Sequence, residues 1–398
     1  MKIFLFLILV STIVQSKTPE EIAQRAMERT PQLIMNMEEM KSRSLGVNQS
    51  RLWKNPSISM QSGKARTGRD HAFVMDLTLM QPLPWPGTKE VLSGEARLME
   101  DLAALDATLA EVKVYHAVLL MSIEYGYMEK LNQNNQTRRK RLNEIKNYFS
   151  KKSIVSENDK IEAGMINNQM LLVDNYIFEI RSKMNNLKSR IKRLADVDVD
   201  SVTMQFSLLT LPHKDLFMTS LMDSPEWKKQ HKQLEIAKIN VKKAEIETRP
   251  EVQVGLNYRV EHLRPENEFM HANLAVTIPI WDRGQYREEI ARSQLRKEEA
   301  GQKLTEMNLL NQFEELYHLL EMSFHQTQNF DVKKIKKIEQ EMKDVESAFR
   351  KGRITAAALL QYDNLMQETL SLTFKARYEY FKTLSDLNEL IGRRTDLK

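Results

Sequence analysis

The chain repeats one phrase. Leu77-Thr78-Leu79-Met80-Gln81-Pro82-Leu83-Pro84-Trp85-Pro86-Gly87 returns in outline as Leu274-Ala275-Val276-Thr277-Ile278-Pro279-Ile280-Trp281-Asp282-Arg283-Gly284. Pro82 and Pro279 are 197 residues apart, as are Gly87 and Gly284. The repeat extends outward: Asn55-Pro56 answers to Arg249-Pro250 at a spacing of 194, and Phe149…Ile154 to Phe349…Ile354 at a spacing of 200. Thr18-Pro19-Glu20 and Ser224-Pro225-Glu226 are a further match. Each is a helix start with a hydroxyl N-cap, Pro in the first turn and an acid beside the positive end of the dipole. Each copy reads strand, strand, Pro-marked exit, very long helix, an order few architectures accommodate.

The strands alternate. Val252, Val254, Leu256, Tyr258 and Val260 face one way; Glu251, Gln253, Gly255, Asn257 and Arg259 face the other. After a loop at about 261–270, Leu274, Val276 and Ile278 alternate with Asn273, Ala275 and Thr277. In the first copy Ile58 and Met60 alternate with Ser57, Ser59 and Gln61, and Phe73, Met75, Leu77 and Leu79 with Val74, Asp76, Thr78 and Met80. Residues 63–70 between them read as a polar hairpin loop. One apolar and one polar face over about ten residues fits a transmembrane barrel strand. It also fits a half-buried strand of a soluble sandwich, the commoner source of such alternation.

Helix dominates the rest. Pro is absent from Gly87 through Leu211 and from Ile280 to Lys398, as long helices require, since Pro costs a helix interior about 3 kcal/mol. Aromatics are only 7%, low for a large globular core, and charged residues are 28%, as on long solvated helices. Helices are predicted from Thr88 to about Phe149 and from Gln285 to about Phe349. At 1.5 Å per residue each is roughly 95 Å long, beyond any single-domain core. Leu102, Leu105, Leu109, Val112 and Leu119 keep a narrow apolar stripe, as a coiled-coil seam does. Breaks near Ser150–Ser153 and Lys351–Arg353 turn each helix back, with returning helices at about 155–194 and 356–391. An opening helix runs from Thr18 to about Ser50, with a bend at Pro31.

Met1-Lys2 and the apolar run Ile3–Val10 make residues 1–16 a signal peptide, with cleavage after Ser16. The domains are then a first repeat at 17–195 (strands about 56–80, helical hairpin about 88–194), a linker at 196–223, and a second repeat at 224–398 (strands about 250–280, hairpin about 285–391). With Cys at 0, neither disulfides nor a lipidated N-terminal Cys is expected. No later segment reaches 18 apolar residues, so a membrane span must use strands. The net charge of +5 is mild, and no nucleic-acid partner is expected of an exported chain without a reading motif.

Four strands cannot close a barrel, and lipid does not tolerate an open sheet edge. Strands that cross a membrane must therefore share a barrel among copies, and three copies give twelve. The junction residues suit a sharp turn from strand to helix. Pro82, Pro84 and Pro86 lack amide donors and fix the backbone, and Gly87 permits the turn; Pro279 and Gly284 serve the second copy. Trp85 and Trp281 fall where strands would leave lipid, or else anchor a core under the turn.

On these residues the chain resembles the TolC family of outer-membrane efflux ducts. The resemblance spans nearly all of the mature chain. It rests on the strand-end Pro and Gly turn, the duplicated halves, and Gly352-Arg353-Ile354-Thr355 followed by Leu359-Leu360. The stretch Gln81–Lys89 resembles the CzcC-like branch, which serves heavy-metal exporters of the resistance-nodulation-division type. The resemblance implies a mixed α/β membrane duct: long coiled-coil hairpins continuous with a shared 12-stranded barrel, four strands per chain, in a homotrimer. It implies an outer-membrane location with a periplasmic extension, and as partners outer-membrane lipid, a periplasmic membrane-fusion adaptor and an inner-membrane pump. Two hairpin tips would meet the adaptor: Lys152, Ser153, Ile154 and Val155, and Gly352, Arg353, Ile354 and Thr355. In the best-known ducts an aspartate ring narrows the aperture after the second tip. The corresponding positions here are Ala358 and Gln361, with Asp363 the nearest acid, so the expected ring is Gln361 or Asp363.

A duct performs no chemistry, and no site for any is expected. The chain has no Gly-rich phosphate loop, no Cys nucleophile and no His-Glu-x-x-His motif among its eight His. His318 and His325 share a helix face, and His262 and His271 bracket the second strand loop; neither pair reads as a metal site. The Met residues read as seam packing, and no cofactor is expected. The basic runs Arg138-Arg139-Lys140-Arg141 and Lys333-Lys334…Lys336-Lys337 read as a solvated face, or as a lumenal band opposing cations. Two other readings stay open: an outer-membrane component of type I protein secretion, and a soluble periplasmic coiled-coil adaptor.

Overall fold

A computed structural model describes residues 18–394 apart from 68–69, 152–155, 200–201, 203–208, 263–266 and 330–331. The expected signal peptide and the first tip, Lys152, Ser153, Ile154 and Val155, lie outside the described residues. The chain is mostly helical with one small antiparallel sheet. Its elements are α1 (Pro19–Arg29), α2 (Pro31–Ser50), β1 (Ser57–Thr67), β2 (Asp70–Leu83), α3 (Thr88–Ser150), α4 (Glu157–Ala195), α5 (Lys214–Leu221), α6 (Pro225–Glu247), β3 (Glu251–His262), β4 (Asn267–Thr277), α7 (Gln285–Asn329), α8 (Val332–Arg350) and α9 (Ala356–Leu390).

Two differences from the sequence reading concern helices. The opening helix is two, because Pro31 forces Thr30 into extended backbone (φ −70, ψ 123) while the Thr30 N–H still caps the Ala26 carbonyl. The helix expected from Gln285 to about Phe349 is described as α7 and α8, with 330–331 between them outside the described residues. A third concerns strands. Residues 63–70 are not simply a loop: β1 runs to Thr67 and β2 begins at Asp70, because each added antiparallel pair satisfies further backbone groups. Lys64 and Arg66 thereby become strand residues with a defined face.

The chain divides into two compact units, each drawing on both copies of the repeat. One comprises Met35–Ala107 and Pro225–Asn308. It holds the sheet, in the order β1-β2-β3-β4, so the copies join through β2 and β3. Gly255 sits where the copies meet; a Cβ there would lie 2.1 Å from the Leu79 carbonyl oxygen, so only glycine fits. In the same unit α6 is tied to α3 by Lys229–Asp106 (2.6 Å), Lys232–Asp101 (3.2 Å) and Lys243–Glu95 (2.8 Å). These are surface pairs, each contributing about 0–1 kcal/mol.

The other unit comprises Met1–Ile34, Thr108–Ser224 and Leu309–Lys398. Here α1 buries Ile22, Ala23 and Ala26, and Thr30 Oγ1 donates to the Ala26 carbonyl (2.6 Å). Both hairpins feed one hydrophobic cluster near their tips. Its members match across the repeat: Leu142 and Met342, Phe149 and Phe349, Ile166 and Met366, Met170 and Leu370 are all buried, each pair 200 residues apart. Phe149 and Phe349 touch, with ring centroids 5.8 Å apart.

At the far end of α9, Gly392 (φ 73) closes the helix, its N–H bonded to the Glu389 carbonyl and the Arg393 N–H to that of Asn388. The Arg393 carbonyl then accepts from His116 Nε2 (2.8 Å), so His116 Nδ1 accepts from the Ser385 hydroxyl (2.6 Å). Burial pushes the His116 imidazole below its ordinary pKa, and the Arg393 carbonyl offsets part of this. A lowered folded pKa means the unfolded chain binds more protons. The contribution is present above the unfolded value of about 6.5 and lost as pH falls through the folded value. We predict that the denaturation midpoint of this unit falls as pH is lowered from about 7.5 to about 5. His116→Gln, which does not titrate, removes part of that slope; an unchanged slope refutes the assignment.

Candidate functional site

The strand-to-helix junctions use the same backbone and different chemistry. Gly87 (φ 88) and Gly284 (φ 74) both take the left-handed conformation, and each starts its helix by accepting from the residue four ahead, Val91 or Glu288 (both 3.0 Å). In the first junction Pro84 and Pro86 flank Trp85, whose indole N–H donates to the Pro250 carbonyl (2.6 Å). Pro82 remains within β2, opposite Gln253. In the second, the Asp282 carboxylate accepts from the Gly284 N–H (2.9 Å) and from Arg287 (2.6 Å), after Pro279 has released the strand. These two bonds hold its carboxyl below the usual range. Trp281 is 89% exposed and is not a core anchor.

The register puts every apolar alternate of the four strands on one face. One row reads Met60, Leu77, Tyr258, Met270; the next reads Ile58, Leu79, Leu256, Ala272. The opposite face carries Ser59, Thr78, Asn257, His271, then Gln61, Asp76, Arg259, Phe269. Along the middle of β2 and β3 exposure is inverted relative to a water-soluble sheet, while on β1 and β4 both faces are mostly exposed. The large hydrophobics of the apolar face are 38–71% exposed where they are exposed at all, whereas Asn257, Arg259 and Glu261 are half-buried. Among the described residues Phe269 is the one exposed large hydrophobic on the polar face. Within its unit no described residue covers the apolar face, whereas a half-buried sandwich strand requires a cover.

The second tip is a five-residue reversal. The Gly352 N–H bonds the Phe349 carbonyl (2.8 Å) and the Arg353 N–H that of Ala348 (2.9 Å), a Schellman cap on α8 with Gly352 at φ 67. Thr355 immediately caps α9, its hydroxyl accepting from the Ala358 N–H (3.3 Å). Gly352 and Arg353 are exposed; Ile354 packs against the hydrophobic cluster, so its side chain braces the tip from inside. Past the undescribed first tip, Ser156 and Asp159 form a reciprocal capping box that starts α4.

Two turns into α9 the structure departs from the expected ring. Gln361 is exposed, but the Asp363 side chain has no exposed surface. Its carboxylate accepts from Arg138 Nε (2.6 Å) and from Arg141 Nη2. Arg138 Nη2 also donates to Asn364 Oδ1 (2.5 Å), and Arg141 Nε stands 3.2 Å from Glu346. Burial raises the Glu346 carboxyl and Arg141 holds it down in part. In this conformation Asp363 offers no group to solvent. The basic run is therefore split rather than wholly solvated: Arg138 and Arg141 are turned inward, whereas Arg139, paired with Asp174, and Lys140 are exposed. The sequence did hold a signal. Arg138, Leu142, Ile145 and Phe149 share one helical stripe, as do Leu359, Asp363, Met366 and Leu370, so each buried stripe carries one charge, of opposite sign.

No family model matches the chain, and no curated protein matches it in sequence. Solved structures do. The outer membrane channel CmeC of Campylobacter jejuni is similar over 95% of this chain and 87% of its own, at 13% identity and a TM-score of 0.76. The open state of the MtrE outer membrane channel of Neisseria gonorrhoeae matches over 94% and 89%, at 12% identity and 0.77. The outer membrane protein VceC of Vibrio cholerae matches over 95% and 97%, at 11% identity and 0.75. The chain has the outer-membrane channel fold. The coverage includes sheet and helices together, so the long hairpins and the four strands belong to one fold.

Two substitutions test the tip region by chemical denaturation of the purified chain in detergent. Gly352→Ala costs about 1–2 kcal/mol through the left-handed backbone alone, since a Cβ there meets nothing within 4 Å. Asp363→Leu leaves two guanidiniums without their shared acceptor and costs about 3–5 kcal/mol. Arg138→Met combined with Asp363→Leu recovers much of that loss. A double variant as unstable as the single one would show that the charges are not coupled as described.

Proposed function

We propose that this chain is a TolC-family exit duct of the outer membrane, one of three copies in a passive tripartite efflux channel. The observation that carries this is the uncovered apolar face of a sheet whose polar face is the more sheltered one along its inner strands, β2 and β3. Such a sheet suits lipid outside and water inside. Its end strands β1 and β4 lack partners within the described sheet, and lipid forces such edges to close. Three copies of four strands meet that demand with twelve. The helices supply matching uncovered surface: Ile161, Leu171, Leu172, Tyr176 and Phe178 along α4, and Leu365 and Leu372 along α9, are exposed, as expected where neighbouring copies pack.

The hairpin tips are the proposed contacts for a periplasmic adaptor, linking the duct to an inner-membrane pump. We assign the pump to the resistance-nodulation-division type and the cargo to heavy-metal cations, on the resemblance of Gln81–Lys89 to the CzcC-like branch. The pairing of Arg138, Arg139 and Arg141 with acids, inward for Arg138 and Arg141 and on the surface for Arg139, supports this cargo, because it weakens the barrier an unpaired basic band would raise to cations.

Cell fractionation and a deletion strain test the two levels of the proposal. The chain is expected in the outer membrane, released only by detergent; recovery as a soluble periplasmic monomer would end the duct reading. The deletion strain is expected to lose tolerance to one or more of zinc, cobalt, cadmium, copper and silver while keeping tolerance to organic toxins. Unchanged tolerance to every metal would reject the heavy-metal assignment and leave the duct.

A further inference from the structure

The outward face of the sheet changes character at its hairpin end. From Leu83 and Val252 up to Met75 and Val260 its residues are mainly apolar. The next row is Lys64, Phe73, His262, and beyond it Arg66 follows on β1, opposite His71. Lys64 and Arg66 are two residues apart on one strand, so they project from the same face as Ile58 and Met60. Both are exposed, and His262 beside them packs edge-on against Phe73 (6.0 Å). Among the described residues of this face the one acid is Glu268, one row lower on β4 opposite Val260. The helices leave from the other end of the sheet, so this basic edge lies at the end remote from them.

We propose that Lys64 and Arg66, with His262, form a collar that binds the phosphate groups of the phosphorylated glycolipid in the outer leaflet. This rests on the duct reading, which sets the apolar band in lipid. Charge complementarity then names the occupant. Cations directly above an apolar band meet the plane where acyl chains end and head groups begin. An ammonium supplies a compact charge there and a guanidinium a bidentate fork for a phosphate oxygen pair. A zwitterionic head group offers no net charge to either. Glu268 opposes the attraction, so the collar is strongest on the β1–β2–β3 side of each copy. In a twelve-stranded ring it would recur three times.

The test uses the full-length chain in phosphatidylcholine vesicles doped with diphosphorylated lipid A, or with the same lipid dephosphorylated, reading lipid retention by native mass spectrometry. The phosphorylated form is expected to be retained preferentially, and added salt to weaken the preference. Lys64→Gln with Arg66→Gln is expected to reduce the preference about 10- to 30-fold, at about fivefold or slightly less per cation near a charged surface. Glu268→Gln should increase it, and Lys64→Arg should preserve it, which separates loss of charge from loss of fold. Equal retention of the two lipids by the wild-type chain, or a preference unchanged in the double variant, overturns the collar. A chain that enters neither kind of vesicle instead overturns the duct reading itself.

Discussion

A sheet turned inside out, with two unpaired edges, sets the terms for the rest of the chain. The inner strands β2 and β3 are paired on both sides. β1 and β4 are each paired on one side within the described sheet and leave a row of N–H and C=O groups on the other. In water such a row is a minor liability. In hydrocarbon each unmet group costs several kcal/mol, and a strand of this length carries enough of them to reach tens of kcal/mol. That is more than the whole stability of a typical domain. A sheet that presents its apolar side to lipid therefore has no stable form as a lone copy. In the proposed duct the edge of one copy meets the opposite edge of the next, and a closed ring is the solution that leaves no edge. On the proposed duct reading, exposed apolar surface on α4 and α9 answers to the same constraint, since helices attached to a closed ring acquire neighbours too.

The junctions show how two sequences reach one backbone. Both place a glycine at positive φ just before the helix, where an L side chain would be strained. The first copy prepares that turn by withholding donors at three prolines. The second has one proline and uses Asp282 to accept the free N–H. Gly284 has a further reason to be glycine, since a Cβ would fall 2.4 Å from the Thr248 side chain, whereas at Gly87 only the backbone angle demands it. Identity between the repeats is low at these positions because the physical task, a satisfied sharp turn, admits more than one chemistry.

Much of this was legible in the sequence, for physical reasons. Helices betray themselves by where Pro cannot be, so Thr88 and Gln285 stand out as starts. Strands betray themselves by alternation, so the faces of β3 could be assigned residue by residue. Alternation could not say which face is left uncovered; that needed the exposure of Leu256 against that of Asn257. Strand ends were the weaker reading. Gly63-Lys64-Ala65-Arg66-Thr67 has the composition of a loop, and only pairing with 70–74 makes it a strand. The buried ions were missed for a different reason. Four consecutive basic residues look solvated, and composition overrode the helical phase that set Arg138 in line with Leu142 and Phe149.

That phase also shows why the ions matter to the architecture. Shifting by the 200-residue repeat, Arg138 corresponds to Ile338 and Asp363 to Ala163, and both of these apolar residues pack against the same hydrophobic cluster. The two hairpins are thus alike at Leu142 and Met342, at Phe149 and Phe349, and at Ile166 and Met366, and unlike at the level of the ions. Apolar packing alone is tolerant of such exchange, since side chains of similar volume fill similar space. A carboxylate buried against two guanidiniums is not tolerant, because an apolar partner would leave a charge without its counterion, at several kcal/mol. Burying the ions costs desolvation that Ile338 and Ala163 avoid. What the ions add is a difference between two near-equivalent hairpins, placed two turns from the tips, so that α3 of the first recognises α9 of the second by charge as well as by shape.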